Sequence, residues 1–379
     1  MKIMQRLYLL ISAIIIGIPS LYGQDKQIKV GAPFLNITPD ARSAGYGDQG
    51  AATTPDNFSQ FWNPAKYIFT EKSYGAAYSY TPWLKNIAND IALHSLSGFY
   101  KFDNNQAVSA SLRYFSIGEI PLRSESGQDP GGQALVAKPN EFAFDVAYSR
   151  KLGESFSTSV TFRYFRSDLT GGVSIPDIQG LTDIKTASSF AADIAAYYFR
   201  QLGKGELAVG GSISNIGPKI SYSKDGDKSF IPTNLRIGAR YTLPVGQKSK
   251  ISALLETAKL LVPTPDIDQN GKDKNADKSV VSGIFSSFAD APGGFKEEMN
   301  EFVYSAGLEY TYANTLALRS GYFNENKEKG NRKFFTFGLG VTYNIFTIDA
   351  SYLVPSSSGS NSPLDNTFRF SLGIQMPTK

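Results

Sequence analysis

Hydrolytic or metal chemistry would have to be built from histidine, serine and carboxylate side chains, and this sequence offers few arrangements of them. His94 is the single histidine, and cysteine is absent. Ser95 and Ser97 lie close to His94, and serine and histidine are the residue types used by outer-membrane lipid hydrolases. In a β-strand successive side chains alternate between faces, so both serines fall on the face opposite His94. No G-x-S-x-G nucleophile elbow occurs in the chain. The expectation is a protein without a catalytic site.

The stretch Asp266 to Asp277 has the look of a calcium loop. Oxygen-bearing side chains stand at its first, third, fifth and twelfth positions (Asp266, Asp268, Asn270, Asp277), with Gly271 at the sixth to permit a sharp turn. The twelfth residue is Asp rather than a bidentate Glu, Asp273 replaces the usual apolar residue, and no helix pair flanks the loop. A solvated extracellular loop is the simpler reading, and no metal or cofactor is assigned. The last group of chemically able residues is ionic: Arg113, Arg163, Arg236, Arg240, Arg319 and Arg369, with Asp145, Asp193, Glu309 and Asp349. They recur on one face of a two-residue alternation. Mixed signs on a wet inner surface are expected to pair with one another and with backbone carbonyls.

The elements that position these charges are strands. From Ser73 onward apolar side chains alternate with small or charged ones, as in Phe142, Phe144, Val146 and Tyr148, or Phe368, Phe370, Leu372 and Ile374. About fourteen such segments follow one another, near 73–80, 93–102, 107–118, 141–151, 155–169, 188–202, 206–215, 233–243, 250–261, 300–312, 315–325, 333–343, 345–355 and 366–376. The segment at 250–261 alternates poorly. Connections after even-numbered strands are tight, such as Gly153-Glu154 and Ala313-Asn314. Those after odd-numbered strands are mostly long, the longest about 262–299. Short turns on one rim and long loops on the other are the pattern of an outer-membrane barrel, with short turns in the periplasm. A soluble β-sandwich or lipocalin-like barrel would carry its charges outside. Here the polar face is mostly Ser, Gly, Ala and Thr, and fourteen strands enclose more space than their own side chains fill.

Composition agrees with this architecture. Aromatics make up 13% and charged residues only 19%, and Phe and Tyr far outnumber Trp. Residues 1–23 read as a secretory signal peptide: Lys2 and Arg6 precede the apolar run Leu7 to Ile18, and Gly23 closes a cleavage site. The run is too short to span a bilayer comfortably. Without Lys2 and Arg6, 36 basic residues face 34 acidic ones, a net charge of +2, and no basic run points to nucleic acid.

Residues 24–72 precede the 73–379 barrel, and their central part, Phe34 to Phe69, organises the rest. It is rich in Gly, Pro, Asp and Asn and has no period, yet Phe58, Phe61 and Trp62 are too apolar for a loose linker. Gly45, Gly47 and Gly50 suit positive-φ positions, and Pro39 and Pro55 set turns beside Asp40 and Asp56. The segment is expected to enter the barrel from the periplasmic side as a plug. Within the loop 262–299, Val280, Val281, Ile284, Phe285 and Phe288 have helical spacing, and folding back over the barrel mouth is the expected fate of that helix.

Together the plug, Asn63-Pro64-Ala65 and the strand number resemble the FadL-type long-chain fatty acid transporters. More narrowly, FLNITPDARSAGYGDQGAATTPD, Asn63-Pro64-Ala65-Lys66 and the later PGGFKEEM are similar to the PorV (LptO) family, outer-membrane components of the type IX secretion system of Bacteroidetes. Asp40-Ala41-Arg42 is the other telling group. The resemblance spans essentially all of the mature chain. It implies an all-β, FadL-like transmembrane barrel of the cell outer membrane, and a shuttle rather than a pore. Such a protein takes cargo at a SprA/Sov-type translocon by its C-terminal sorting domain and delivers it to a PorU-type attachment complex, with membrane lipid around it. The alternative is a FadL-like transporter of hydrophobic small molecules, which needs a continuous apolar pocket and an exit at a strand kink. One departure is that the chain ends Met376-Pro377-Thr378-Lys379 rather than in an aromatic residue.

Overall fold

The computed structural model describes residues 28–83, 90–122, 135–172, 184–224, 226–268, 273–356 and 367–377. The signal segment 1–23 lies outside them. Every expected strand is present, with ends moved by no more than three residues. The strands are β1 (Lys72–Pro82), β2 (Ala92–Lys101), β3 (Gln106–Ser116), β4 (Ile120–Leu122), β5 (Leu135–Ala137), β6 (Asn140–Lys151), β7 (Phe156–Asp168) and β8 (Ala187–Leu202). They continue as β9 (Gly205–Ile216), β10 (Asn234–Pro244), β11 (Ser249–Leu260), β12 (Val303–Tyr312), β13 (Leu316–Asn324), β14 (Lys333–Tyr343), β15 (Phe346–Pro355) and β16 (Phe368–Pro377). Strands β4 and β5 form a separate ribbon in the loop after β3. The other fourteen make one closed barrel in which each strand pairs antiparallel with its neighbours and β16 closes on β1. Closure removes the unpaired edges that a bilayer would not tolerate.

The alternation read from the sequence has one face in lipid and one in the lumen. Along β16, Phe368, Phe370, Leu372 and Ile374 point out, whereas Arg369, Ser371 and Gly373 are buried inside. Strand β11 alternates poorly because Leu254 faces the lumen and its neighbour Leu255 faces out; Ser252 and Glu256 keep the inward phase. Strand β12 starts at Val303 rather than near 300, because a helix, Phe295–Asn300, takes those residues. At the tight turn Ala313-Asn314 both residues have positive φ, 53° and 54°, the geometry that matches the twist of a two-residue hairpin. No helix among the described residues is long and apolar enough to cross a membrane.

Candidate functional site

The segment from Gly31 to Thr70 runs down the inside of the barrel. Its first residues touch the long-loop rim, where Gly31 N donates to Phe230 O at 2.8 Å and Ala32 N to Tyr222 Oη at 3.1 Å. Its last residues touch the short-turn rim, where Lys101 Nζ donates to Thr70 O at 2.6 Å. The chain therefore does not enter the lumen from the periplasmic rim, as its sequence position beside β1 suggests. It descends from the extracellular rim and leaves at the periplasmic one, because Phe34 and Leu35 are held high in the barrel, in an apolar cluster with Leu93, Phe115 and Ile231.

Short capped turns give this aperiodic stretch its shape. Asp40 caps a one-turn helix, Ala41–Ala44, by accepting from Ser43 N at 2.8 Å, and its other oxygen accepts from Trp62 Nε1 at 2.8 Å. Asn63 caps the 3-10 turn Pro64–Phe69 by accepting from Ala65 N at 3.1 Å. The same side chain donates to Ala51 O at 3.0 Å and, across to β8, to Ala196 O at 2.9 Å. Arg42 donates to Asp56 at 2.6 Å and to Thr54, and buried Lys66 donates to Gly50 O at 2.7 Å and Thr53 Oγ1 at 2.8 Å. The Asp-Ala-Arg and Asn-Pro-Ala-Lys groups are thus the internal fastenings of the segment.

The barrel wall supplies the external fastenings. Four successive strands each present a serine to it: Ser97 Oγ donates to Asn57 O at 2.8 Å, Ser109 contacts Gln60, Ser149 donates to Pro64 O at 2.9 Å, and Ser157 to Ala65 O at 2.8 Å. On the far wall Glu256 accepts from Gly50 N at 2.9 Å and Ala51 N at 2.8 Å, while Arg236 holds its second oxygen at 2.9 Å and stacks over Trp62. Sequence reading overlooked Glu256, because the adjacent Leu254 and Leu255 hide the alternation of β11.

Close approach of backbone to wall requires glycine. A Cβ at Gly307 would stand 2.6 Å from Tyr46 Cβ, one at Gly373 2.5 Å from Asn57 Nδ2, and one at Gly321 or Gly210 would collide with the backbone of Tyr46 or Ala51. Within the segment only Gly47 has the expected positive φ, 86°. Gly45, at φ −63°, and Gly50 serve clearance instead, the first against Gly338 and the second beneath the Trp62 ring.

All ten charges read from the alternation project into the lumen and find partners. Arg163 bridges Asp145 at 2.5 Å and Asp193 at 2.9 Å, and Arg319 bridges Glu309 at 2.8 Å and Asp349 at 2.6 Å. Arg113 sits 3.6 Å from Asp145 and donates to Leu35 O at 2.9 Å, Arg240 reaches Ala52 O at 3.3 Å, and Arg369 faces Asp48 at 3.4 Å. Two cavities among the described residues share no lining residue. One is a polar space of about 570 Å³ beside Arg42, Asp56, Glu206 and Arg240; the other is an apolar space of about 530 Å³ near Phe34.

His94 lies on the outer face among Tyr78, Tyr80 and Tyr114, with Nδ1 2.7 Å from Tyr78 Oη. Ser95 and Ser97 are buried on the lumen side, so the barrel wall separates them from the imidazole. In the Asp-rich loop, Asp273 Oδ1 accepts from Asp266 N at 3.0 Å and Asn275 N at 2.9 Å, and Asp266 pairs with Lys274 at 3.0 Å. Residues 269–272, including Asn270 and Gly271, lie outside the described residues, and Asp268 and Asp277 engage other groups. Among the described residues no cluster of metal-binding side chains forms.

The expected helix forms over Val280–Ser286, and its apolar side chains divide: Val280 and Ile284 are half-buried beside Gly283, whereas Val281 and Phe285 are exposed. Gly283 lies against Phe230 and Pro263, and Ser287 is buried beside it. With its small residues on the barrel side, the helix leaves Val281 64% and Phe285 74% exposed, followed by Phe288 and by Phe295 at 80%. The base is firm, since Lys259 pairs with Glu298 at 2.7 Å and Glu301 at 2.5 Å, and Lys329 with Glu297 at 2.9 Å.

A closed fourteen-stranded barrel with lipid-facing aromatics and an occupied lumen defines an outer-membrane protein of FadL-like fold. The Pseudomonas putida toluene transporter TodX shares it at 12% identity, with a TM-score of 0.56 over 89% of this chain and 98% of TodX. The CymD monoaromatic hydrocarbon channel shares it at 10% identity, with a TM-score of 0.53 over 90% and 98%. Within that class the family model described as "Type IX secretion system protein PorV" matches residues 21–267, and the chain belongs to the PorV family. No curated protein matches the sequence.

Proposed function

We propose that the protein is a type IX secretion shuttle of the outer membrane. Exported by a signal peptide (residues 1–23) that is then cleaved, it carries a plug in residues 24–72 and a barrel in 73–379. It binds the C-terminal sorting domain of cargo at a SprA/Sov-type translocon and hands the cargo to a PorU-type attachment complex. It performs no chemistry of its own. The observation that carries this reading is the pairing of a fastened lumen with an apolar extracellular surface. The plug is tied to the wall by Glu256 and by serines on four strands, which suits a carrier better than a conduit, while Val281, Phe285 and Phe295 face outward on a braced loop. An exposed apolar cluster of this kind marks an interaction site. A transporter would need a strand kink as exit. The register shifts of the barrel fall near Ala192 and beside Lys72, at the rim, and the Ala192 shift is closed by Asn215, whose N–H donates to Asp193 at 2.7 Å.

The test is a mild-detergent pull-down of the tagged protein from its own outer membrane, followed by mass spectrometry. Recovery of a giant barrel, a PorU-like protease and secreted proteins sharing a C-terminal domain supports the shuttle. Recovery of the barrel alone, with lipid in its lumen, refutes it.

A further inference from the structure

The apolar cavity of about 530 Å³ lies at the extracellular end of the lumen, between the start of the N-terminal segment and the upper parts of β1 to β3 and β6. Its size suits a small-molecule ligand. Ile37, Trp83, Ile91, Phe115 and Ile117 supply its walls. Glu141 lines it too, and is 3% exposed. The hydrogen-bond partner of that carboxyl is Ser167, at 2.5 Å, and among the described residues no lysine or arginine pairs with it. The charges at the cavity edge are already matched: Arg332 is held by Glu325 at 2.7 and 2.9 Å, and Asp48 faces Arg369. The uncompensated group is therefore an acid in an apolar pocket, a costly arrangement unless a donor or a cation meets it.

We propose that this cavity binds an apolar chain ending in a single hydrogen-bond donor, an aliphatic amine or alcohol, with the donor on Glu141 and the chain along Trp83, Ile91 and Phe115. A fatty acid is the wrong ligand, because its carboxylate would be set against Glu141. The site goes beyond the shuttle reading and does not depend on it. The polar space of about 570 Å³ beside Arg42 and Asp56 shares none of its lining residues.

Trp83 is a built-in reporter, since Trp62, the other of two tryptophans, is buried in the plug on Asp40. The protein in nanodiscs is titrated with bromine-tagged dodecylamine, dodecanol and dodecanoate, and tryptophan quenching is read. Saturable quenching by the amine or the alcohol, about tenfold tighter than by dodecanoate, is expected. It should vanish in Trp83→Phe. It should weaken in Ile117→Phe and in Ile37→Phe, which fill the cavity from the wall and from the plug, either serving if the other does not fold. Glu141→Gln separates the two ligands: it should cost an ammonium about tenfold and leave an alcohol within about threefold. The proposal fails if dodecanoate binds as tightly as both other probes, if no probe gives saturable quenching, or if both cavity-filling variants fold and bind unchanged.

Discussion

At the scale of single residues, Glu256 is the side chain on which the seating of the plug turns. It neutralises Arg236 and accepts two backbone N–H groups, so its loss leaves one half-buried cation and two buried donors unmatched. Removing one member of a buried pair costs about 3–5 kcal/mol. Glu256→Ala should therefore loosen Gly50 and Ala51 by that order while the barrel stays folded. Hydrogen exchange should show faster exchange of those two amides with unchanged heat-dependent gel mobility; unchanged protection would show that the wall glycines alone hold the segment. Lys329 gives a pH dependence. Burial opposes its charge, but hydrogen bonds to Glu301 and Glu297 outweigh it and hold the ammonium above the ordinary 10.5. A raised lysine stabilises fully below its unfolded value, and the contribution fades as pH climbs through the folded one. Protease cleavage of the 261–302 loop should stay flat up to about pH 10.5 and rise above it.

At the scale of elements, each strand is a two-faced ribbon whose faces obey different solvents. Leu372 lies midway along β16 on the lipid side, with Ser371 and Gly373 inside. Leu372→Arg should destabilise the barrel by about 2–4 kcal/mol, measured by reversible unfolding in lipid vesicles. The loop helix Val280–Ser286 follows the opposite logic. Its spacing is legible in the sequence, but its orientation is not, because the inward face centres on Gly283 against Phe230 and Pro263, with Val280 and Ile284 half-buried beside it. Phe285→Ser should leave barrel folding unaltered and lower the recovery of cargo in the pull-down severalfold; equal recovery would move the docking surface elsewhere.

At the scale of the whole molecule, the shuttle reading requires the fastened segment to seal the barrel. In planar bilayers the intact protein should show no steady conductance, whereas deletion of residues 34–62 should open a stable pore. A pore in the intact protein would contradict the seal. The path of the segment has a second consequence. Because it runs from the long-loop rim to the short-turn rim before β1 begins, Gly31 lies at the rim opposite the one where β1 starts and β16 ends. The chain lacks cysteine, so single introduced thiols report cleanly. In intact cells Lys29→Cys should react with an impermeant maleimide and Lys204→Cys, in a short turn, should not. The reverse pattern would invert the topology.

Much of this protein follows from periodicity of order two along single strands. Strand number, the lipid and lumen faces and the inward placement of the ten charges depend on neighbours two residues apart, and each is readable without a fold. Loop length and turn residues then determine which rim is which. What only the tertiary structure decided rests on partners far apart in the chain. Gly50 meets Glu256 across 206 positions, and Ala41 meets Ser371 across 330. No local pattern encodes such pairs, so the direction of the plug, the role of Glu256, the clearance reserved at Gly307 and Gly321, and the outward turn of Phe285 emerge only when the sheet closes and brings distant strands around one segment.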